Sequence, residues 1–443
     1  MSHLKIARFA QYLKYGDVTW LIHRLRLSLG LRKPVPRPKS LVSRASSADA
    51  PYGSSPGCQI PINLLIFSHN LCYEGASISL KELVFGLTNR QAITPEVVAF
   101  EDGPLRAEYE AHGISVRVLP SAQHNVFTLK LLSMEVERLA LLIQASGAGL
   151  VFVNTLLNFP AILAAERAGV PSVWNPRESE PWDSYFRFLP DPVAQRAIAA
   201  IGLPRKVVFV AHATRKVWKD FDGQGSFEVI HNGINLNRFP SRSDAAERTR
   251  CRNALCLKAD SIAILCVGTL CDRKGQMDLV AAFASLPEAI SNRVQILLVG
   301  DDRGRYADAI KDRCHSLPPD VGKAIRIFPP TETIASFYAA ADLFVLSSKV
   351  ESFPRVVLEA MSFGLPIITT PVFGVLEQVV EGENALFYSP GDSSLLARQI
   401  EKLVSDEALR GRMSQSSLQR ISQMTTFDEM VDAYASICRE AVA

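Results

Sequence analysis

The sequence predicts an α/β protein in which two doubly wound parallel sheets face each other across a cleft. From Ile60 onwards, short apolar runs alternate with amphipathic helical patterns. The alternation pauses over residues 236–260, which carry many charges and little strand pattern, and then resumes. A chain of 443 residues is long enough for two or three domains, each with its own core.

The elements of the first series follow from apolar runs of strand length and from helical periodicity. The strands are expected at Ile62–Ser68, Val97–Phe100, Val116–Leu119, Leu150–Asn154, Ser172–Asn175 and Val207–Ala211. The helices are expected at Leu80–Leu87, Leu105–His112, Val136–Ser146, Pro160–Ala168 and from Thr214 onwards. Ligands of such sheets bind beyond the carboxyl ends of the strands. Polar loops occupy those positions at His69–Gly75, Asn154–Asn158 and Asn175–Glu180.

The second series repeats the pattern after a boundary near Asn235. Its strands are expected at Ile262–Gly268, Val294–Val299, Ile325–Phe328, Leu343–Ser347 and Pro366–Thr370. Its helices are expected at Met277–Ser285, Tyr306–Cys314, Ile334–Ala340, Arg355–Phe363, Asp392–Val404 and Asp428–Cys438. We therefore expect residues 59–235 and 236–424 to form the two sheet domains. Residues 425–443 would be a C-terminal helix that packs back on the first domain.

The N-terminal segment differs from the rest in charge. Residues 1–45 hold ten Lys and Arg and one acidic residue, although the net charge of the chain is only +3. Residues 1–40 have the pattern of a basic amphipathic helix around Trp20, which favours docking on anionic lipid. The alternative is a helix packed on its own domain with a solvated basic face. Residues 41–58 are rich in Ser, Ala, Pro and Gly and predict a linker.

Composition excludes several classes of protein. Nearly half of the residues are apolar and the net charge is small, which is typical of a globular protein rather than a disordered or nucleic-acid-coating one. No apolar run approaches the roughly 20 residues of a membrane span, and no secretory signal pattern is present. We expect a cytoplasmic protein, in peripheral contact with the inner face of the membrane if residues 1–40 bind lipid. The eight cysteines form no C-x-x-C pair, so reduced thiols and no zinc site are expected.

The stretch from Asp342 to Tyr388 carries the clearest chemistry. A strand there leads through a loop into a helix, and Pro354 fits the first turn of that helix, where a missing N–H costs nothing. A helix N-terminus offers free N–H groups and a positive dipole, which suit a phosphate. Glu351 lies in the loop and Glu359 lies in the helix, and carboxylates beside a phosphate site suit the hydroxyls of a sugar. The alternative is that both are solvated surface charges.

A second basic loop follows the first strand of the same series. Arg273 and Lys274 join that strand to the next helix, where they could meet a diphosphate. A basic loop alone is weak evidence, because most such loops are simply solvated. It gains weight because it is expected on the same edge of one sheet as Glu351. No P-loop and no G-x-G-x-x-G fingerprint stands at a strand–helix turn.

These segments resemble the retaining GT-B glycosyltransferases, in particular the large fourth family of sugar-nucleotide transferases. The resemblance rests on E-S-F-P-R-V-V-L-E-A-M-S-F-G-L-P from Glu351, V-G-T-L-C-D-R-K-G-Q, I-H-N-G-I-N-L-N-R-F and F-Y-A-A-A-D-L-F-V-L-S-S, which stand in the family's order. It covers about residues 60–443 and is looser in the first half. It implies two Rossmann-like domains, the first on the acceptor side and the second for the nucleotide sugar.

The resemblance also implies roles for matching positions. Glu359 would bind the ribose hydroxyls and Glu351 the hydroxyls of the donor sugar. Lys274, with Arg273, would meet the diphosphate. The remaining positions implied for the donor site are Thr269 and the backbone amides of Gly75, Arg355 and Val356. Neither a metal nor another cofactor is implied; the partners are a nucleotide sugar and a glycan or lipid-linked acceptor.

Two departures from the family pattern concern the phosphate contacts. Thr269 stands where the family often has Arg, and Arg273 is the candidate to replace that charge. Pro354 stands where many members have Gly, which removes one amide donor. His69 and Glu178 are candidates on the acceptor side, although His69 fits a structural histidine at a strand end equally well.

Two other classes of function stay open at this stage. One is a non-catalytic scaffold or regulatory subunit that kept the fold, which intact Glu351, Glu359 and Lys274 disfavour. The other is a sugar-nucleotide hydrolase or epimerase, which product analysis without an acceptor would distinguish.

Overall fold

The computed structural model describes residues 61–119, 126–223, 225–236 and 245–443. The predicted basic segment and linker, residues 1–58, lie outside the described residues. No helix in the described part of the chain has the length and apolar character needed to cross a bilayer.

Seven strands form the first sheet. They are β1 Ile62–Ser68, β2 Ile93–Ala99, β3 Ser115–Val118, β4 Leu150–Asn154, β5 Ser172–Asn175, β6 Lys206–Phe209 and β7 Phe227–Val229. Their order is β3-β2-β1-β4-β5-β6-β7, and neighbouring strands pair in parallel. The central strands read as continuous apolar runs because helices cover both faces of the sheet.

Six parallel strands form the second sheet. They are β8 Ile262–Val267, β9 Val294–Val299, β10 Ile325–Phe328, β11 Leu343–Leu346, β12 Ile367–Thr369 and β13 Ala385–Phe387. Their order is β10-β9-β8-β11-β12-β13. The order reverses between β8 and β11, which is the position where open α/β sheets bind ligands. The predicted fold class, two doubly wound parallel-sheet domains, is confirmed.

Helices connect and cover the strands of both sheets. In the first domain they are α1 Gly75–Asn89, α2 Leu105–Ala111, α3 Leu129–Ser146, α4 Phe159–Ala168, α5 Trp182–Tyr185, α6 Asp191–Ala199 and α7 His212–Trp218. The remaining helices are α8 Ala245–Ala254, α9 Gln276–Ala284, α10 Glu288–Ser291, α11 Arg305–Ser316, α12 Pro319–Ala324, α13 Ile334–Ala340, α14 Arg355–Ser362, α15 Val375–Gln378, α16 Ser393–Ser405, α17 Glu407–Ile421 and α18 Phe427–Val442.

Several helix boundaries differ from the prediction. Helix α3 begins seven residues before the predicted Val136, because the Thr128 side chain accepts a hydrogen bond from the Leu131 N–H and caps the helix there. Helix α17 was not predicted, and Asp406 caps it in the same way. Helices α6 and α8 were also missed. Pro354 is the N-cap of α14 and not a residue of its first turn.

Helix α18 packs against the first domain, although it follows the second in sequence. Its Val431 and Tyr434 are buried in the same hydrophobic cluster as Leu64 of β1 and Leu80 of α1. The contact is close at Gly86, where an added Cβ would lie 2.6 Å from a Val431 methyl carbon. The helix therefore completes one face of the first domain.

Candidate active site

The loops that follow β8 and β11 meet at the carboxyl edge of the second sheet. The Ser347 hydroxyl donates a hydrogen bond to the Lys274 carbonyl at 2.8 Å, and the Lys349 N–H donates to the Arg273 carbonyl at 2.8 Å. Gly275 has a φ of 64°, and a Cβ there would lie 2.2 Å from the Ser347 carbonyl oxygen. Only glycine allows this approach without a shift of backbone. The contact sets the position of the neighbouring Lys274.

Lys274 and Glu351 form a partly enclosed ion pair at this edge. The Lys274 Nζ lies 2.5 Å from Glu351 Oε1, and Glu351 is only 7% exposed. Arg273 is half exposed, and its guanidinium lies 3.9 Å from the same oxygen. Burial by itself raises the pKa of the Glu351 carboxyl, but Lys274 and Arg273 together bring that pKa below its usual value. The carboxylate is therefore ionised at neutral pH.

Glu359 lies on the buried side of α14. The Tyr338 hydroxyl of α13 donates a hydrogen bond of 2.8 Å to Glu359 Oε2, and Arg355, one turn earlier, approaches Oε1 to 3.8 Å. Burial, followed by the charge of Glu359, raises the pKa of Tyr338 well above its usual value, so the phenol stays protonated and donates. Glu359 is thus an oriented carboxylate held by two neighbours.

The Arg355 side chain connects the two domains. Its Nη1 lies 2.5 Å from Glu82 Oε2 and 3.5 Å from the Ser79 hydroxyl, both on α1. Burial lowers the pKa of a guanidinium, but Glu82 and then Glu359 raise the pKa of Arg355 above its usual value. The side chain of the first helical residue of α14 is therefore charged and spans the cleft.

The loop that carries Glu351 is also bonded to the first domain. The Ser352 hydroxyl donates to the Arg177 carbonyl at 2.7 Å and accepts from the Ser179 hydroxyl at 2.8 Å. The Asn232 amide donates to the Phe353 carbonyl at 2.8 Å. These bonds bring the carboxyl edges of the two sheets together on either side of one site.

Two family models match consecutive parts of this chain. The model described as Glycosyltransferase Family 4 matches residues 73–238, and the model described as glycosyl transferases group 1 matches residues 247–420. The chain belongs to the group 1 glycosyltransferases. The resemblance stated from the sequence is therefore confirmed as far as membership of this family.

Curated relatives within this family match part of the chain. A lipopolysaccharide core biosynthesis glycosyltransferase, LpsE of Rhizobium meliloti, is 31% identical over 181 residues, which cover 40% of this chain and 50% of the relative. The capsular polysaccharide biosynthesis glycosyltransferase CapM of Staphylococcus aureus is 27% identical over 215 residues, covering 47% and 54%. The chain spans about half the length of the curated relatives it matches.

Solved structures match over most of the chain. HepE of Anabaena in complex with UDP-glucose has a TM-score of 0.71 at 22% identity, covering 85% of this chain and 99% of the other. The lipopolysaccharide biosynthesis glycosyltransferase WaaG has a TM-score of 0.66 at 16% identity, covering 84% and 99%. These likenesses establish the GT-B fold.

Three further predicted donor-side positions lie in loops or at helix starts. Gly75 is exposed at the first position of α1, the helix whose Glu82 reaches Arg355. The Thr269 carbonyl accepts a hydrogen bond from the Gln276 amide at 3.0 Å. Val356 follows Arg355 at the start of α14. Each of these three positions therefore lies in a loop or at the start of a helix, and its role at the donor stays a prediction.

The two acceptor-side candidates lie in the first domain. His69 Nε2 lies 3.4 Å from Glu74 Oε2, and its buried Nδ1 has no hydrogen-bond partner. Glu178 Oε2 accepts bonds of 2.9 Å from the backbone N–H groups of Leu156 and Arg177. Burial raises the pKa of Glu178. The Glu178 carboxylate thus holds the loops after β4 and β5 together.

Sequence reasoning missed three side chains that position the residues and the loop of the site. Tyr338 stood inside the quoted F-Y-A-A-A-D run, but nothing in that run indicated its hydroxyl partner. Glu82 lies on a helix predicted only from its apolar face. Ser352 lies between two residues that were singled out. Each of them acts through a contact distant in sequence.

Proposed function

We propose that this protein is a retaining glycosyltransferase that moves a sugar from a nucleotide-diphosphate sugar to a glycan or lipid-linked acceptor. The observation that carries the proposal is the Lys274–Glu351 pair at the reversal point of the second sheet, followed in the next helix by the oriented Glu359. A cation and a carboxylate lie together there. A ligand that carries both phosphates and hydroxyls needs both, because the cation binds phosphate and the carboxylate binds hydroxyls.

The roles divide between the two ends of the donor. Glu359, oriented by Tyr338, accepts hydrogen bonds from the ribose hydroxyls, and Glu351 accepts them from the sugar that moves. The Lys274 ammonium has three donors, so it contacts the diphosphate while it keeps Glu351. Arg273 supplies a second positive charge, which Thr269 does not supply.

Amides at the start of α14 and at Gly75 complete the phosphate contacts in this proposal. The helix dipole adds to their attraction for the anion. Together with Lys274 and Arg273, they stabilise the charge that develops on the leaving diphosphate, so that no metal ion is required.

In the proposed reaction the acceptor oxygen attacks the anomeric carbon on the face from which the nucleotide diphosphate departs. The carbon–oxygen bond to the acceptor forms as the bond to the phosphate oxygen breaks. The acceptor proton passes to that phosphate oxygen, and the configuration at the carbon is retained. Glu351 and Lys274 keep the sugar and the leaving diphosphate in the positions that the reaction requires.

The comparisons support the donor and acceptor classes of the proposal. HepE is described in complex with UDP-glucose, which is a nucleotide-diphosphate sugar. LpsE and CapM are described as enzymes of lipopolysaccharide and capsule biosynthesis. We therefore propose an acceptor in cell-surface polysaccharide or glycolipid assembly, reached from the cytoplasmic face of a membrane on which residues 1–40 dock.

A donor screen followed by two substitutions tests the proposal. A panel of nucleotide sugars is first screened by thermal shift, since a ligand of the folded state raises the melting temperature. Transfer of the donor found is then measured in Glu359→Ala and Lys274→Ala, which we expect to fold and to lose transfer. Normal turnover in both variants would contradict the site assignment. Donor binding without transfer or hydrolysis would support a non-catalytic scaffold instead.

The proposed membrane contact has a separate test. Deletion of residues 1–45 should weaken binding to liposomes containing anionic lipid and should lower activity on lipid-linked acceptors. Activity on a soluble acceptor serves as the control and should persist. Unchanged liposome binding would refute the proposed role of this segment.

A further inference from the structure

Three side chains outside the donor site converge at the junction of the two domains. They are His212, the first residue of α7; His231, just after β7; and Glu377 of α15. One possible ligand atom from each of them lies within 4.8 Å of the other two. Both histidines belong to the first domain and Glu377 belongs to the second. Neither the proposed transfer reaction nor the family resemblance assigns them a role.

Two of the three donor atoms already have nearly the spacing of metal ligands. Zinc is bound by imidazole nitrogen and carboxylate oxygen at about 2.0–2.2 Å, so two donors of a tetrahedral centre lie about 3.3 Å apart. The distance from His231 Nε2 to Glu377 Oε2 is 2.9 Å. His212 is exposed, so a rotamer adjustment can bring its ring nitrogen to the same centre.

The surroundings hold these two donors in place. The His231 ring stacks on Phe353 with centroids 4.6 Å apart and planes inclined by 9°. The Glu377 carboxylate accepts hydrogen bonds from the backbone N–H groups of His212 at 3.0 Å and Ala213 at 2.8 Å. Contacts of this kind orient metal ligands and are part of a working site.

We propose that His212, His231 and Glu377 bind one divalent transition-metal ion, with water in a fourth position. Two imidazoles and one carboxylate suit Zn²⁺, Ni²⁺ or Co²⁺ rather than Mg²⁺ or Ca²⁺, which prefer oxygen ligands throughout. Arg215 lies one turn further along α7, and its positive charge would repel a metal ion. Asp222 lies 3.6 Å from the Arg215 guanidinium and offsets part of this charge.

The consequence of such a site is a clamp across the domain junction. Its ligands come from both domains, so a bound ion stabilises the arrangement in which the cleft faces meet. Phe353, which stacks on His231, lies two residues after Glu351. The ion would therefore steady the donor-site loop without touching the sugar or the phosphates.

Metal titration of the full chain tests the proposal directly. EDTA-treated protein is titrated with Zn²⁺ by calorimetry and with Co²⁺ by visible absorption, which reports coordination number and thiolate ligation. We expect one equivalent to bind without thiolate character. His231→Ala and His212→Ala should each bind more than about 100-fold more weakly, since losing even an outer-shell partner costs about 10- to 100-fold.

Two control variants separate this site from adventitious binding. His315 is exposed on α11 and Cys256 is an exposed thiol, so His315→Ala and Cys256→Ser should leave the titration unchanged. Zn²⁺ should raise the melting temperature of the wild type and of both controls, but not that of His231→Ala. The absence of saturable one-equivalent binding, or its loss in Cys256→Ser with retention in His231→Ala, would overturn the proposal.

Discussion

Replacement of Lys274 by Met removes the charge at the donor site while it keeps most of the side-chain volume. The ammonium lies 2.5 Å from a Glu351 carboxylate that is 7% exposed. A hydrogen bond between charged groups contributes about 1.5–3 kcal/mol. Arg273, 3.9 Å from the same oxygen, can take over part of that contact. We therefore expect the free energy of unfolding to fall by about 1.5 kcal/mol, the lower end of this range.

The expected effect of this substitution on donor binding is larger than its effect on the free energy of unfolding. A phosphate oxygen that loses its charged donor loses about 1.5–3 kcal/mol, and each 1.4 kcal/mol is a tenfold change. Donor binding should weaken about 10- to 150-fold by calorimetry. Transfer at subsaturating donor should fall at least as far, because charge grows on the diphosphate as the bond breaks.

The neighbouring Lys349 provides the matched control. Its Nζ lies 2.7 Å from Asp272, in an exposed pair on the same loops. Lys349→Met should leave donor affinity and transfer unchanged, since exposed pairs contribute only about 0–1 kcal/mol.

A double variant separates folding from binding. Lys274→Met combined with Glu351→Gln removes the unpaired buried charge, so stability should recover while transfer stays lost. Wild-type donor affinity in Lys274→Met, or an equal loss in Lys349→Met, would refute this account of the site.

Three further predictions concern the side chains around the pair. Tyr338→Phe removes the hydroxyl bonded to Glu359 and should weaken donor binding about tenfold by calorimetry; unchanged affinity would exclude a positioning role. Since Lys274 and Arg273 outweigh burial and lower the pKa of Glu351, its contribution to stability is present above the pKa of the unfolded carboxyl and disappears as pH falls through the folded value. The deficit in melting temperature of Glu351→Gln at pH 7 should therefore shrink below about pH 4.3, and a deficit independent of pH would contradict this. Arg355→Met and Glu82→Gln should be coupled by about 0.5–3 kcal/mol in a double-mutant cycle of thermal unfolding, and additive effects would mean that the interdomain pair contributes nothing.

Much of the fold was predictable because buried parallel strands read as continuous apolar runs. Runs such as those of β4 and β8 are short, rich in β-branched residues and bounded by polar loops. Helix starts were less predictable where one capping residue determines them. The side chains of Thr128 and Asp406 accept hydrogen bonds from N–H groups in the first turns of α3 and α17. These caps determine where the two helices begin, because the apolar residues of those first turns show only a weak helical period.

The relative positions of the donor-side residues were predictable for a topological reason. Lys274 and Glu351 follow two strands that lie side by side in the sheet, so their loops must meet. The partner of the Arg355 side chain was not predictable, because Glu82 lies on another domain. Such a contact depends on how the two domains are oriented, and local sequence patterns carry no information about that orientation.

Helix α18 has a consequence for how the protein folds during synthesis. Its Val431 and Tyr434 fill the core beside Leu64 and Leu80, yet the helix begins about 200 residues after the end of β7. At roughly 5–20 residues per second, a ribosome needs about 10–40 seconds to deliver it. During that interval the apolar face that α18 covers stays open to water. The nascent first domain therefore exposes apolar surface until α18 is made, and it reaches its final stability only after the second domain has been translated.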